Sequence, residues 1–213
     1  MLDFTDLDLG YEQVVHIHHL ISGEGVAIAQ RINTNIDKLT DDWVSEDATV
    51  QINNLINVYN KLVQFIKTST VVLSEATQRV VEVMELRVDN GSKGSFVGGN
   101  VSEDTDLSGD KSTITTSSSY TTDVNVLKQD FEQLKSLTEE FDSFSNKVNE
   151  ESHALLGDSA EDSSANWRSG NHRKETADQM AEFKKIASEG IEKLTEACEM
   201  LKIAITNIES VSE

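Results

Sequence analysis

Apolar residues recur at helical spacing along four long stretches of this chain, with polar residues between them. Tyr11–Ile21 is apolar enough to form a helix, which Gly23 and Gly25 are expected to kink or interrupt. Ile28, Ile32, Ile36, Leu39 and Trp43 follow at spacings of 4, 4, 3 and 4, which is one face of a helix. Ser45 then stands where a helix N-cap belongs, and Glu46 and Asp47 fall in a first turn, where acidic groups favour the helix dipole. The stripe resumes as Ile52, Leu55, Tyr59, Leu62 and Ile66 and continues through Leu73, Ala76, Val80 and Val83, with Ser69 as one polar departure. No glycine interrupts Glu46–Val88. A helix of that extent would span roughly 65 Å and needs a partner of similar length to cover its stripe.

A second half repeats the plan. Leu127, Phe131, Leu134, Phe141, Phe144 and Val148 mark a third helix. A polar break begins at Gly157 and ends at Trp167. A fourth stripe runs through Met180, Phe183, Ala187, Ile191, Leu194, Cys198, Leu201, Ile205 and Ile208. Aligning Trp43 with Trp167 sets Tyr59 opposite Phe183 and Ile56 opposite Met180, a pattern compatible with an internal duplication. Between the halves, residues 89–123 are more than half glycine, serine or threonine. Few of them can bury apolar surface, so the segment reads as a flexible linker, with a short hairpin near Ser95–Asn100 or Thr113–Thr122 as the alternative. The expected organisation is a first helical hairpin over 1–88, a linker over 89–123 and a second hairpin over 124–213. The expected fold is all-α, two long antiparallel hairpins packed as an elongated four-helix bundle or arranged in tandem.

Composition agrees with a thin core shared along helices. Of 213 residues 37% are hydrophobic and 6% aromatic, and proline is absent. Eighteen lysines and arginines face 38 aspartates and glutamates, a formal charge of -20. That field repels nucleic acid and anionic lipid, leaving solubility or the docking of a basic partner as its uses. No apolar run reaches the length of a membrane span, and the start Met1-Leu-Asp-Phe lacks the basic, then apolar, order of a secretory signal.

Chemistry is sparse. His16, His18 and His19 lack nearby metal-ligand partners in sequence and read as solvated helix surface. Glu150-Glu-Ser-His153 is a single Glu-x-x-His where a di-iron bundle needs two. The lone cysteine, Cys198, lies among Ile191, Leu194, Leu201 and Ile205 and reads as a small core residue. No phosphate loop or nucleophile elbow is present. The reading is therefore of a chain with no enzymatic activity, cofactor or metal.

The stretch Gly23–Glu85 resembles the WxG helical-hairpin family of type VII secretion. Ile28, Ile32, Ile36 and Leu39 precede the turn, Trp43-Val44-Ser45 forms it, and Ile52, Leu55, Tyr59, Leu62 and Ile66 follow. Trp43 matches the family tryptophan, and Ser45 stands at the family glycine. The second half carries Trp167-Arg-Ser-Gly170, with one extra residue between tryptophan and glycine. Tyr120-Thr-Thr-Asp123 is one residue short of the family's tail signal. The resemblance implies a substrate of type VII secretion without a cleaved signal, or an adaptor for an exported partner. Its partners would be secretion machinery, another hairpin protein or a second copy. Trp43, Ser45, Tyr59, Trp167 and Gly170 are the partner-docking candidates. The alternative is a cytoplasmic helical chaperone or immunity protein that masks a basic partner.

Overall fold

A computed structural model describes residues 3–88, 107, 110–115, 123–159, 162 and 164–212. The chain is all-α in class, its helices packing against one another. In order it forms β1 (Asp3–Phe4), α1 (Leu7–His19), a π-helical stretch (Leu20–Gly25), α2 (Val26–Asp42), α3 (Glu46–Val88), α4 (Val124–Leu156), β2 (Trp167–Ser169) and α5 (Asn171–Ser212). The long amphipathic stretch expected over Glu46–Val88 is α3. The interruption expected at Gly23 and Gly25 is the π-helical stretch, a wider coil inserted between α1 and α2.

The chain folds into two compact units. Unit 1 comprises Met1–Gly25, Phe65–Asp106 and Phe144–Lys184; unit 2 comprises Val26–Gln64, Leu107–Ser143 and Lys185–Glu213. These units do not follow the two halves of the sequence. Each draws helical segments from both, because α3, α4 and α5 each contribute to both units.

Unit 1 is built on α1, the end of α3, the end of α4 and the start of α5. His16 faces Glu151 at 3.2 Å and Glu24 meets Lys147 at 2.9 Å, so α1 and the π-helical stretch run antiparallel to α4. Val14, Ile17 and Ile21 are fully buried, as are Leu73 and Val80 of α3, Val148 and Leu155 of α4, and Phe183 of α5. Phe183 touches Phe65 and meets Phe144 edge-on, with ring centroids 5.1 and 5.5 Å away.

A small two-stranded antiparallel sheet, which helical periodicity does not foreshadow, joins β1 to β2 in this unit. Phe4 stacks on Trp167 with centroids 5.0 Å apart, and the Thr5 amide donates to the Asn166 carbonyl at 2.8 Å. Gly10 makes the stack possible: a Cβ there would stand 2.4 Å from the Phe4 ring. Asp6 caps α1 by accepting from the Leu9 amide.

Unit 2 is built on α2, the start of α3, the start of α4 and the end of α5. Arg31 pairs with Glu140, and Lys38 donates to Gln133 at 2.7 Å, so α2 and α4 are antiparallel. Lys128 pairs with Glu209, and Thr138 meets Cys198 at 3.9 Å, so α4 and α5 are antiparallel too. Lys61 pairs with Glu189 at 2.7 Å, and Gly190 lies against Val58, which places α3 against α5. Ile32, Ile36, Leu55, Tyr59, Leu62, Leu134, Phe141, Leu194 and Leu201 form its core.

Residues 110–115 belong to the stretch that reads as a flexible linker, yet they are fixed against unit 2. The Asn60 side chain accepts from the Lys111 amide at 2.8 Å and donates to the Lys111 carbonyl at 2.9 Å. Asn53 does the same for Ile114, at 2.8 and 3.1 Å. The strap runs antiparallel to α3, since 111 meets 60 and 114 meets 53. The alternative hairpins lie almost wholly outside the described residues; Thr113–Thr115, which are described, form no strand.

Candidate functional site

The five docking candidates fall in two places. Trp43, Ser45 and Tyr59 belong to unit 2, and Trp167 and Gly170 to unit 1.

At the first turn, α2 ends at Asp42 and the Trp43 amide still donates to the Leu39 carbonyl at 2.9 Å. Ser45 is the N-cap of α3: its hydroxyl accepts from the Ala48 amide at 2.9 Å. That bond fills one of the unpaired amides of the first turn. The Trp43 ring is buried, with 5% of its surface exposed, and Tyr59 is buried on α3. Neither aromatic face is therefore offered to a partner. What the turn does present is an open hollow of about 320 Å³ beside Trp43, lined by Val44, Met200, Ile203 and Ile208 among others. Ile203 is 53% exposed, an uncovered aliphatic side chain at the rim.

The second tryptophan is held differently. Trp167 is fully buried, and its indole N–H donates to the Ser169 carbonyl at 3.0 Å. Gly170 follows with φ 119°, a conformation that side chains avoid, and delivers the chain into α5. Arg173, buried, reaches back from the first turn of α5. Its guanidinium donates to the carbonyls of Trp167 at 2.6 Å, Leu156 at 2.7 Å and Ser159 at 3.1 Å. One side chain thus closes the end of α4 and fixes the start of α5. Asn166 completes the junction, accepting from the Asp6 amide at 2.8 Å and donating to Gln13 at 3.0 Å.

The histidine cluster is not wholly solvated surface. His18 is buried, its Nε2 has no hydrogen-bond partner, and burial, with His19 adding to it, lowers its pKa to about 4. The sequence reading missed this because i, i+2 and i+3 spacing does not say which member turns inward. His16 and His153 are more than half exposed and sit beside Glu151 and Asp158.

In unit 2, burial and the neighbouring Asp42 raise the pKa of Asp130, with Lys38 opposing them. Burial likewise raises the Cys198 thiol, against the Thr138 hydroxyl, so the cysteine is half-buried and poorly ionised. Among the described residues no group of three or more histidine, cysteine, aspartate or glutamate side chains is placed to hold a metal ion. Among them, too, no helix is long and apolar enough to cross a membrane.

No family model, curated protein or solved structure matches the chain.

Proposed function

We propose that this chain is a non-enzymatic helical interaction protein of WxG type, a type VII secretion substrate or the adaptor of an exported partner. The observation that supports the reading is the α2–Trp43-Val44-Ser45–α3 hairpin. Its tryptophan closes a tight turn and its serine caps a longer amphipathic helix. Because the Trp43 ring is spent on packing, a partner would read the turn through its uncovered neighbours, Ile203 first.

The test compares Ile203→Asp with the unaltered chain in a host with an intact or inactivated type VII secretion system. The expected result is that the unaltered chain reaches the medium only through the intact system, while Ile203→Asp stays in the cells at an unchanged thermal midpoint. Equal amounts in the medium from both hosts would overturn the reading.

The net charge of -20 favours a second reading, a cytoplasmic chaperone or immunity protein masking a basic partner. That complex would weaken steeply with salt, since exposed charges are screened beyond about 10 Å at 0.1 M. Co-purification of one basic protein that vanishes on raising ionic strength would support it.

A further inference from the structure

The strap over residues 110–115 is held by its backbone. Asn53 and Asn60 lie seven residues apart on α3, about 10.5 Å along the helix. Their targets, Lys111 and Ile114, lie three residues apart, and an extended chain advances about 9–10 Å over three residues. The two repeats match, so each asparagine meets both the N–H and the C=O of one strap residue. An amide side chain carries one acceptor and a donor pair, the complement of a peptide group. These contacts recognise an extended backbone without regard to side chain.

The selective contact comes from α2. The Lys111 ammonium donates to Asn33 at 2.7 Å and to the Asp37 carboxylate at 2.6 Å, so the strap's lysine meets one amide oxygen and one anion. Four side chains from two helices therefore define a register, a direction and one charge.

We propose that Asn53 and Asn60, with Asn33 and Asp37, form a recognition site for an extended polypeptide segment carrying one lysine. Residues 110–115 fill it in cis, and a partner's segment of the same chemistry takes their place when the strap is displaced. The cis segment is the template for the ligand: backbone pairs three residues apart, with lysine at the first. Cis occupancy competes at the millimolar effective concentration of a tethered segment, so a free segment binds the intact chain weakly. The proposal goes beyond the secretion reading and stands or falls separately from it.

The test uses a fluorescent peptide of residues 107–118 and the full chain with residues 110–115 exchanged for glycine and serine except for Lys111→Pro and Ile114→Pro, which remove the two N–H groups the asparagines accept from. The exchanged chain is expected to bind the peptide at least about tenfold more tightly than the intact chain. Asn53→Ala with Asn60→Ala in the exchanged chain removes that binding, and Lys111→Ala in the peptide weakens it about tenfold. Binding that survives loss of both asparagines would overturn the proposal, as would no binding by a folded exchanged chain. Should the exchange unfold the protein, Lys111→Ala in the intact chain loosens the strap while leaving the site whole. That variant is expected to take the unaltered peptide more tightly than the parent chain does, and equal affinities would overturn the proposal.

Discussion

His18 and Asp130 show how single buried groups couple this fold to pH in opposite directions. His18 keeps a pKa near 4 when folded and an ordinary value near 6.5 when unfolded. Between those values the unfolded chain binds a proton that the folded chain refuses, so stability falls as pH drops through that window. The loss reaches about 3 kcal/mol at most. Urea unfolding from pH 7 to 4 should show the slope, and His18→Leu should flatten it. Asp130 has the opposite sign. Its raised folded pKa means that its protonated form suits the fold, and its contribution is lost as pH rises through that value. Asp130→Asn should therefore raise the thermal midpoint at pH 7 while doing little in mild acid. A lowered midpoint at pH 7 would show that the carboxylate is needed as an anion beside Lys38.

At the scale of elements, the apolar stripe and the Ser45 cap made α3 legible to its ends, because period, cap and glycine-free composition agree there. The interruption by Gly23 and Gly25 was legible as a break, though not as a π-helix. The β1–β2 pair was not legible. Two and three residues carry no periodicity, and their partners are more than 160 positions apart. The asparagine–strap contact was hidden for a related reason: Asn53 and Asn60 look like polar surface until a backbone is laid across them. The burial of Trp43 and Trp167 was not legible either, since pattern reading places a tryptophan at a turn without telling which way its ring points. Helix contacts also set tolerances. A Cβ on Gly190 would stand 2.4 Å from the Phe141 ring and 3.2 Å from Val58. Gly190→Ala should cost about 1–3 kcal/mol despite its better helix propensity, and pairing it with Phe141→Leu should recover part of the loss in a double-mutant cycle.

For the whole molecule, the order of segments within each unit matters most. In unit 2, Lys61 meets Glu189 and Val58 meets Gly190, so α3 is antiparallel to α5, as α4 is; α3 and α4 are therefore parallel to each other. Residues 110–115, which lie between α3 and α4 in sequence, run antiparallel to α3. Each unit also needs segments from both halves of the sequence. Residues 1–88 and 124–213, produced separately, should each lack cooperative unfolding and should regain it when mixed. Cooperative melting of either piece alone would contradict the interleaving.

That interleaving also sets a timetable on the ribosome. Neither unit can close until its share of α5 is made, and α5 starts roughly eighty residues after α3 ends. At 5–20 residues per second, α3 waits on the order of ten seconds with only α1 and α2 made to pack on its stripe. Throughout that interval the nascent chain carries a long, one-sided apolar helix whose later covering segments, in α4 and α5, do not yet exist.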